Sequence, residues 1–145
     1  MGFCPWISRR AGLVSGPMQV SVPNTLIDRL LREAAADPTR EVCGLLFGDV
    51  GRIVSAEWTP NVAEDPGRAF EIEPAALFMA IRLERQGGPR LIGHYHSHPN
   101  GSSEPSPRDL AAAEPGRLWL IIAAGVARLW HAEPGGFREV GMQLW

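Results

Sequence analysis

The sixteen residues from His94 to Asp109, HYHSHPNGSSEPSPRD, constrain this chain more than any other stretch. His96 and His98 are one residue apart, and side chains in a strand alternate between faces, so a strand here projects both imidazoles from the same side. That pair is a ready chelate. Ten residues then separate His98 from Asp109, and Pro99, Asn100, Gly101, Pro105 and Pro107 among them mark a turning loop that can return a carboxylate to the histidines. Two neutral imidazoles and a carboxylate suit zinc, at roughly 2.0 to 2.2 Å per bond, and leave the fourth tetrahedral position open, as a catalytic site requires. A lone histidine beside prolines usually caps a loop or bonds to backbone. Here three of the four histidines fall within five residues, at the end of the apolar run Leu91-Ile92 and ahead of an acid. Metal binding accounts for that clustering better.

These residues also carry a resemblance. His96-Ser97-His98-Pro99, then the stretch to Pro105, then Ser106, two further residues and Asp109 resemble the signature of the JAMM (MPN-type) zinc metallopeptidases. The segment Glu41-Val42-Cys43-Gly44-Leu45-Leu46-Phe47-Gly48 is similar to that family's upstream glutamate motif, and both halves occur in the family's order. The resemblance runs from about Met18 onward and implies a site. His96, His98 and Asp109 are expected to hold one Zn²⁺ per chain. Glu41 becomes a general base and then a general acid, and Ser106 a hydrogen-bond donor to the tetrahedral oxyanion. Read by itself, Ser106 is an N-cap for a helix starting at Pro107, with Asp109 in its first turn. Both roles are compatible. Glu41 read by itself is an exposed acid at a strand edge. His94 falls on the face of His96 and His98 but outside the family's ligand set, and is expected to be structural or to support the ligands from behind. His131 is expected to be unrelated. Cys43 is expected to point away from Glu41 and to pack as a small buried hydrophobe.

The composition is that of one soluble domain. With 145 residues, 45% hydrophobic and 21% charged, the chain can bury a core of its own. No apolar run reaches the ~20 residues of a membrane helix. A net charge of −2 gives no basic footprint, so neither nucleic acid nor membrane is an expected partner. All fourteen basic residues are arginine, so the chain offers no lysine side chain for isopeptide linkage. Two cysteines, Cys4 and Cys43, make a disulfide framework improbable and a reducing cytoplasm the default. Residues 1–17 show no periodicity and are set aside as a flexible leader before a domain at 18–145.

Within that domain a strand at Val20 and Val22 precedes a helix whose apolar stripe is Leu26, Ile27, Leu30, Leu31 and Ala34. Strands follow at 42–47 and 52–59, joined by a turn at 48–51. A polar loop, 60–66, and a short extended piece, 69–72, come next; the plain expectation is a solvated connector. In the family the corresponding region borders the groove for an extended substrate tail, which could pair there by strand addition. A second helix opens at Glu73-Pro74, with Ala76, Phe78, Met79, Ile81 and Leu83 as its expected core positions. Then come the histidine strand (90–95), the short helix after Ser106, and strands at 118–123, 127–131 and 137–142. This order gives an α/β domain with a curved mixed β-sheet flanked by helices. The resemblance sharpens it to the MPN (cytidine-deaminase-like) fold.

The resemblance implies hydrolysis of a peptide or isopeptide bond after the C-terminal Gly-Gly of a ubiquitin-like or sulfur-carrier protein. Glycine suits a narrow groove against a metal because it carries no side chain. The competing expectations are a catalytically silent binding scaffold of the same fold and a zinc hydrolase acting on another amide.

Overall fold

A computed structural model describes residues 18–145. The expected leader at 1–17, and Cys4 within it, lie outside the described residues. Among the described residues seven strands and three helices follow in the order β1 (Gln19–Val22), α1 (Asn24–Ala36), β2 (Cys43–Asp49), β3 (Arg52–Thr59), α2 (Pro74–Arg85), β4 (Leu91–Ser97), α3 (Pro107–Ala112), β5 (Leu118–Ala123), β6 (Val126–Glu133) and β7 (Gly136–Leu144). The sheet order is β1-β3-β2-β4-β5-β6-β7, and β1 also pairs with β7, so the curved mixed sheet closes on itself. Closure depends on β1, which runs parallel to β7 from Gln19↔Gly141 to Val22↔Leu144 and meets β3 at Ser21↔Arg52.

Helix α1 fills the concave side. Leu26, Ile27 and Leu30 pack against Val20, Val22, Leu46, Ile53, Leu120, Ile122, Leu129 and Val140 in one continuous core. Tyr95 of β4 joins that core, and its hydroxyl donates to Glu33 Oε1 of α1 at 2.7 Å. Its ring lies across Gly44, its register partner on β2. A Cβ at Gly44 would collide with that ring and with the Glu57 carbonyl, so the glycine of the EVCGLL segment is required by packing.

Helix α2 lies on the opposite face, over Leu45, Phe47 and Leu91. Of the expected core stripe, Ile81 packs against this cluster but three members do not. Phe78 is 66% exposed, Met79 52% and Leu83 46%, and the only fully buried residue of the helix is Ala80. The helix is apolar on most of its circumference, so hydrophobicity alone does not say which stripe faces inward. The small Ala80 allows close approach, with Ile81 beside it and Ile72 from the preceding segment. Glu73 caps this helix by accepting from the Ala75 and Ala76 amides at 3.0 Å each. Among the described residues, no helix is long and apolar enough to cross a membrane.

Candidate metal centre

The antiparallel register between β2 and β4 builds the site. Cys43 pairs with His96 and Leu45 with His94, so continuing it two residues back sets Glu41 opposite His98. Two bonds weld this junction: the Val42 amide donates to Ser97 Oγ at 2.8 Å, and the Ser97 amide to the Val42 carbonyl at 2.9 Å. His94, His96 and His98 fall on the face away from α1, as alternation requires.

Asp109 arrives from α3. The Ser106 side chain accepts from the Asp109 amide at 3.1 Å, while the Ser106 amide donates to Asp109 Oδ2 at 2.9 Å, a reciprocal capping box. The cap thereby aims a carboxylate at the histidines. Asp109 Oδ2 lies 3.2 Å from His96 Nε2 and 3.1 Å from His98 Nε2, and the two nitrogens are 3.0 Å apart. All three residues are buried, as is Glu41, which has a carboxylate oxygen within 4.8 Å of both histidines.

The donor set fits a cation. His98 Nδ1 sits 2.7 Å from the Ser102 carbonyl, so the ring proton belongs on Nδ1 and Nε2 carries a bare lone pair when the ring is neutral. His96 Nδ1 is buried without a partner among the described residues, so its Nε2 can carry either the proton or a lone pair. With both Nε2 atoms bare, two lone pairs and a carboxylate oxygen converge at about 3 Å, an arrangement that a cation among them would stabilise. Tetrahedral bonds of about 2.0 to 2.1 Å to zinc would separate such ligands by roughly 3.3 Å. The observed spacings need only slight relaxation. Titration tendencies agree. For His98 burial works against protonation, yet the hydrogen bond to Asp109 and the Ser102 carbonyl overcome it and raise its pKa. Asp109 is held well below the usual carboxylate range: burial opposes this, and the hydrogen bonds from His96 and His98 outweigh it. His96 is lowered, chiefly by burial.

Glu41 differs from Asp109. One of its oxygens is buried with no hydrogen-bond partner among the described residues, and burial lifts the carboxyl to about 7. His98 and Arg108 pull in the other direction and Asp109 adds to the rise. Two neighbouring carboxyls thus have opposite tendencies, Asp109 ionised and Glu41 poised near neutrality.

Of the other singled-out residues, His94 packs its ring on Trp119 at 4.2 Å, and burial drives its pKa down to about 3, so it stays neutral. It makes no bond to the ligands; its Nδ1 is buried without a partner. His131 lies on β6 beside Glu133. Cys43 corrects an expectation. Its pairing with His96 places it on the ligand face, two residues from Glu41, and not turned away from it. It is nonetheless no competitor for a metal, because Sγ turns to Thr59 and burial raises the thiol to about 11.

Two residues of the 60–72 segment had no functional reading from sequence. Phe70 stacks on His96, ring centroids 4.1 Å apart and planes within 20°. Asn61 uses its whole side chain, donating to the Glu41 carbonyl (2.8 Å) and the Ala69 carbonyl (3.0 Å) and accepting from the Ala63 (3.0 Å) and Glu71 (3.1 Å) amides. The sequence signal was slight: an asparagine just after the end of a strand, and an aromatic in a short alternating piece. Two clefts adjoin residues of this region. One of about 370 Å³ touches His98 and Pro99 and runs to Leu31 and Ala34 of α1; another of about 510 Å³ is lined by Glu64, Phe70, Glu71 and Arg108.

The chain is similar to several known proteins. Residues 23–135 match the family model described as prokaryotic homologs of the JAB domain. The chain is 32% identical over 125 residues to a protein named desampylase from Haloferax volcanii, covering 83% of this chain and 90% of that one. It is 34% identical over 94 residues to a probable TtuB-protein conjugate cleaving protease from Thermus thermophilus, 63% of this chain and 62% of the other. Among solved structures, a protein from Desulfitobacterium hafniense superposes with a TM-score of 0.74 at 26% identity, over 87% of this chain and 92% of that one. A JAB1/MPN domain protein from Archaeoglobus fulgidus matches in fold, with a TM-score of 0.58 at 19% identity, over 88% of this chain and all of the other. The chain belongs to the prokaryotic JAB/MPN-domain family.

Proposed function

We propose that this chain is a zinc metallopeptidase that cleaves the peptide or isopeptide bond after the C-terminal Gly-Gly of a ubiquitin-like or sulfur-carrier protein. The observation that carries the reading is the convergence of His96 Nε2, His98 Nε2 and Asp109 Oδ2 beside the unpartnered carboxylate of Glu41. The substrate class is supported by the relatives named desampylase and probable TtuB-protein conjugate cleaving protease, together with the family resemblance. His96, His98 and Asp109 hold the metal. Zinc, when bound there, supplies Lewis acidity, polarising a carbonyl and acidifying water.

The chain's own groups do the rest. Glu41, with its carboxyl near 7, takes a proton from the attacking water and returns it to the departing amine; a group titrating close to the working pH does both well. Ser106 Oγ already accepts from the Asp109 amide, which leaves its O–H proton to donate to an oxyanion. The Ser106 amide keeps Asp109 aimed during this. Phe70 shields one face of His96 from water. Cys43, free and buried, is in keeping with a reducing cytoplasm.

The test is direct. Zinc-loaded protein is incubated with Gly-Gly-terminated carrier proteins from the same genome, each fused to a leaving peptide, and the products are weighed by mass spectrometry. Cleavage immediately after Gly-Gly is expected. Bound zinc with no turnover on any of them would favour a silent scaffold, and cleavage confined to small amides would favour a different hydrolase.

A further inference from the structure

Asn61 lies off the reaction path, yet three of its four hydrogen bonds fall within the 60–72 segment and the fourth reaches Glu41. One donor holds the carbonyl of Glu41 itself; the other holds Ala69, next to the Phe70 that stacks on His96. Its acceptor oxygen gathers the Ala63 and Glu71 amides, closing the two sides of the segment on one another. Around it are the Asn61↔Ile72 bridge, the Val62 amide on the Glu71 carbonyl at 3.0 Å and the Glu41 amide on the Pro66 carbonyl at 2.7 Å. Glu41 precedes β2, whose ladder begins at Cys43. Its main chain is therefore held on this side by the loop alone, through Pro66 at the amide and Asn61 at the carbonyl. An amide side chain is the smallest group that offers two donors and an acceptor in one plane, and every one of those is used here.

We infer that Asn61 is a positioning residue for Glu41: it clamps the 60–72 segment so that the carboxylate stays beside the metal ligands, and it acts on turnover through Glu41 and not through the metal. This rests on the proposed function. A misplacement of about 1 Å of a reacting group can cost about 10²-fold in rate, so loss of the clamp should lower kcat about 10-fold to 100-fold.

The experiment is a mutant cycle on the zinc-loaded full chain. Asn61→Ala and Asn61→Asp are each made alone and with Glu41→Gln, and assayed on a verified Gly-Gly fusion. Asn61→Asp keeps the acceptor for Ala63 and Glu71 but sets an acceptor oxygen against the Glu41 and Ala69 carbonyls, so it breaks the two donor contacts while holding the turn, and its added charge is controlled by the neutral alanine variant. Both single variants should retain one zinc and lose kcat about 10-fold to 100-fold. In the Glu41→Gln background the same substitution should cost less than about threefold, because residues acting as a unit are non-additive. An equal loss in both backgrounds would overturn the inference, since a general folding defect acts regardless of Glu41. Hydrogen exchange supplies a readout independent of activity: the Glu41 amide should exchange faster in both variants while the Leu46 amide does not change. Unaltered exchange at Glu41 would overturn the inference as well. If the wild-type chain cleaves none of the fusions, the functional proposal fails on its own, and the exchange result still decides whether Asn61 holds Glu41.

Discussion

Replacing Glu41 with glutamine tests the electrostatics of the site and its chemistry together. In the folded chain the Glu41 carboxyl is lifted from 4.5 to about 7, first by burial. Below about pH 4.5 folded and unfolded chains both hold this proton and the residue contributes no pH dependence. Between there and about 7 the folded chain binds more protons than the unfolded one, so stability falls as pH rises; above 7 the full cost persists. At about 1.4 kcal/mol per pKa unit, the cost comes to about 3 kcal/mol. Glutamine cannot ionise, so the metal-free Glu41→Gln protein should gain on its parent by that amount between pH 4.5 and pH 8. For a domain of about 130 residues this corresponds to roughly 10 °C in melting midpoint. The assay is thermal unfolding of both proteins in chelator across that range. It is the growth of the difference with pH, and not its absolute value, that carries the argument. With zinc restored, the variant should keep its metal and lose about 10²-fold to 10⁴-fold in turnover. A midpoint difference that stays flat from pH 4.5 to 8 would refute the burial argument. Turnover within about threefold of wild type would refute the role of Glu41 as base.

The ligand assignment predicts one zinc per chain by metal analysis, lost when His96 and His98 are both changed to alanine; wild-type stoichiometry in that double variant would contradict it. Ser106→Ala should retain zinc, because the Asp109 carboxylate is held by a backbone amide, yet lose about 10²-fold to 10³-fold in turnover and about 1 kcal/mol of stability with the cap. A rate equal to the parent's would remove Ser106 from the chemistry. Gly44→Ala should destabilise the fold by about 1 to 3 kcal/mol, since its Cβ meets the Tyr95 ring and the Glu57 carbonyl; an unchanged denaturation midpoint would show that β2 yields there at no cost.

The site was the most legible part of the sequence because its chemistry is concentrated in a few residue types at fixed spacing. His96, His98, Ser106 and Asp109 lie within one short stretch, and strand alternation followed by a helix cap accounts for their meeting. Glu41 was legible only through resemblance, since what brings it opposite His98 is the β2–β4 register, which joins segments more than fifty residues apart. The same distance hid the closing of the sheet. The parallel pairing of Gln19 with Gly141 leaves no local trace. Helix α2 misled for a different reason: its start at Glu73-Pro74 was plain, but a helix apolar almost all round gives no preference between a Phe78 stripe and an Ala80 stripe. Asn61 stayed hidden because an asparagine in a loop ordinarily serves only its own turn.

Asp109 closes the first turn of α3 and, in the proposed metal site, also completes the ligand set. Six residues make too short a helix to persist by propensity, so α3 has to be held by its surroundings. Metal affinity is then a conformational quantity as much as a coordinative one. If only a tenth of metal-free molecules hold this turn wound, the apparent affinity is about tenfold weaker than that of the assembled site. A substitution at Pro107 or Leu110 that touches no ligand can therefore tune how tightly the ion is kept, and the rate of metal exchange should follow the winding and unwinding of this single turn.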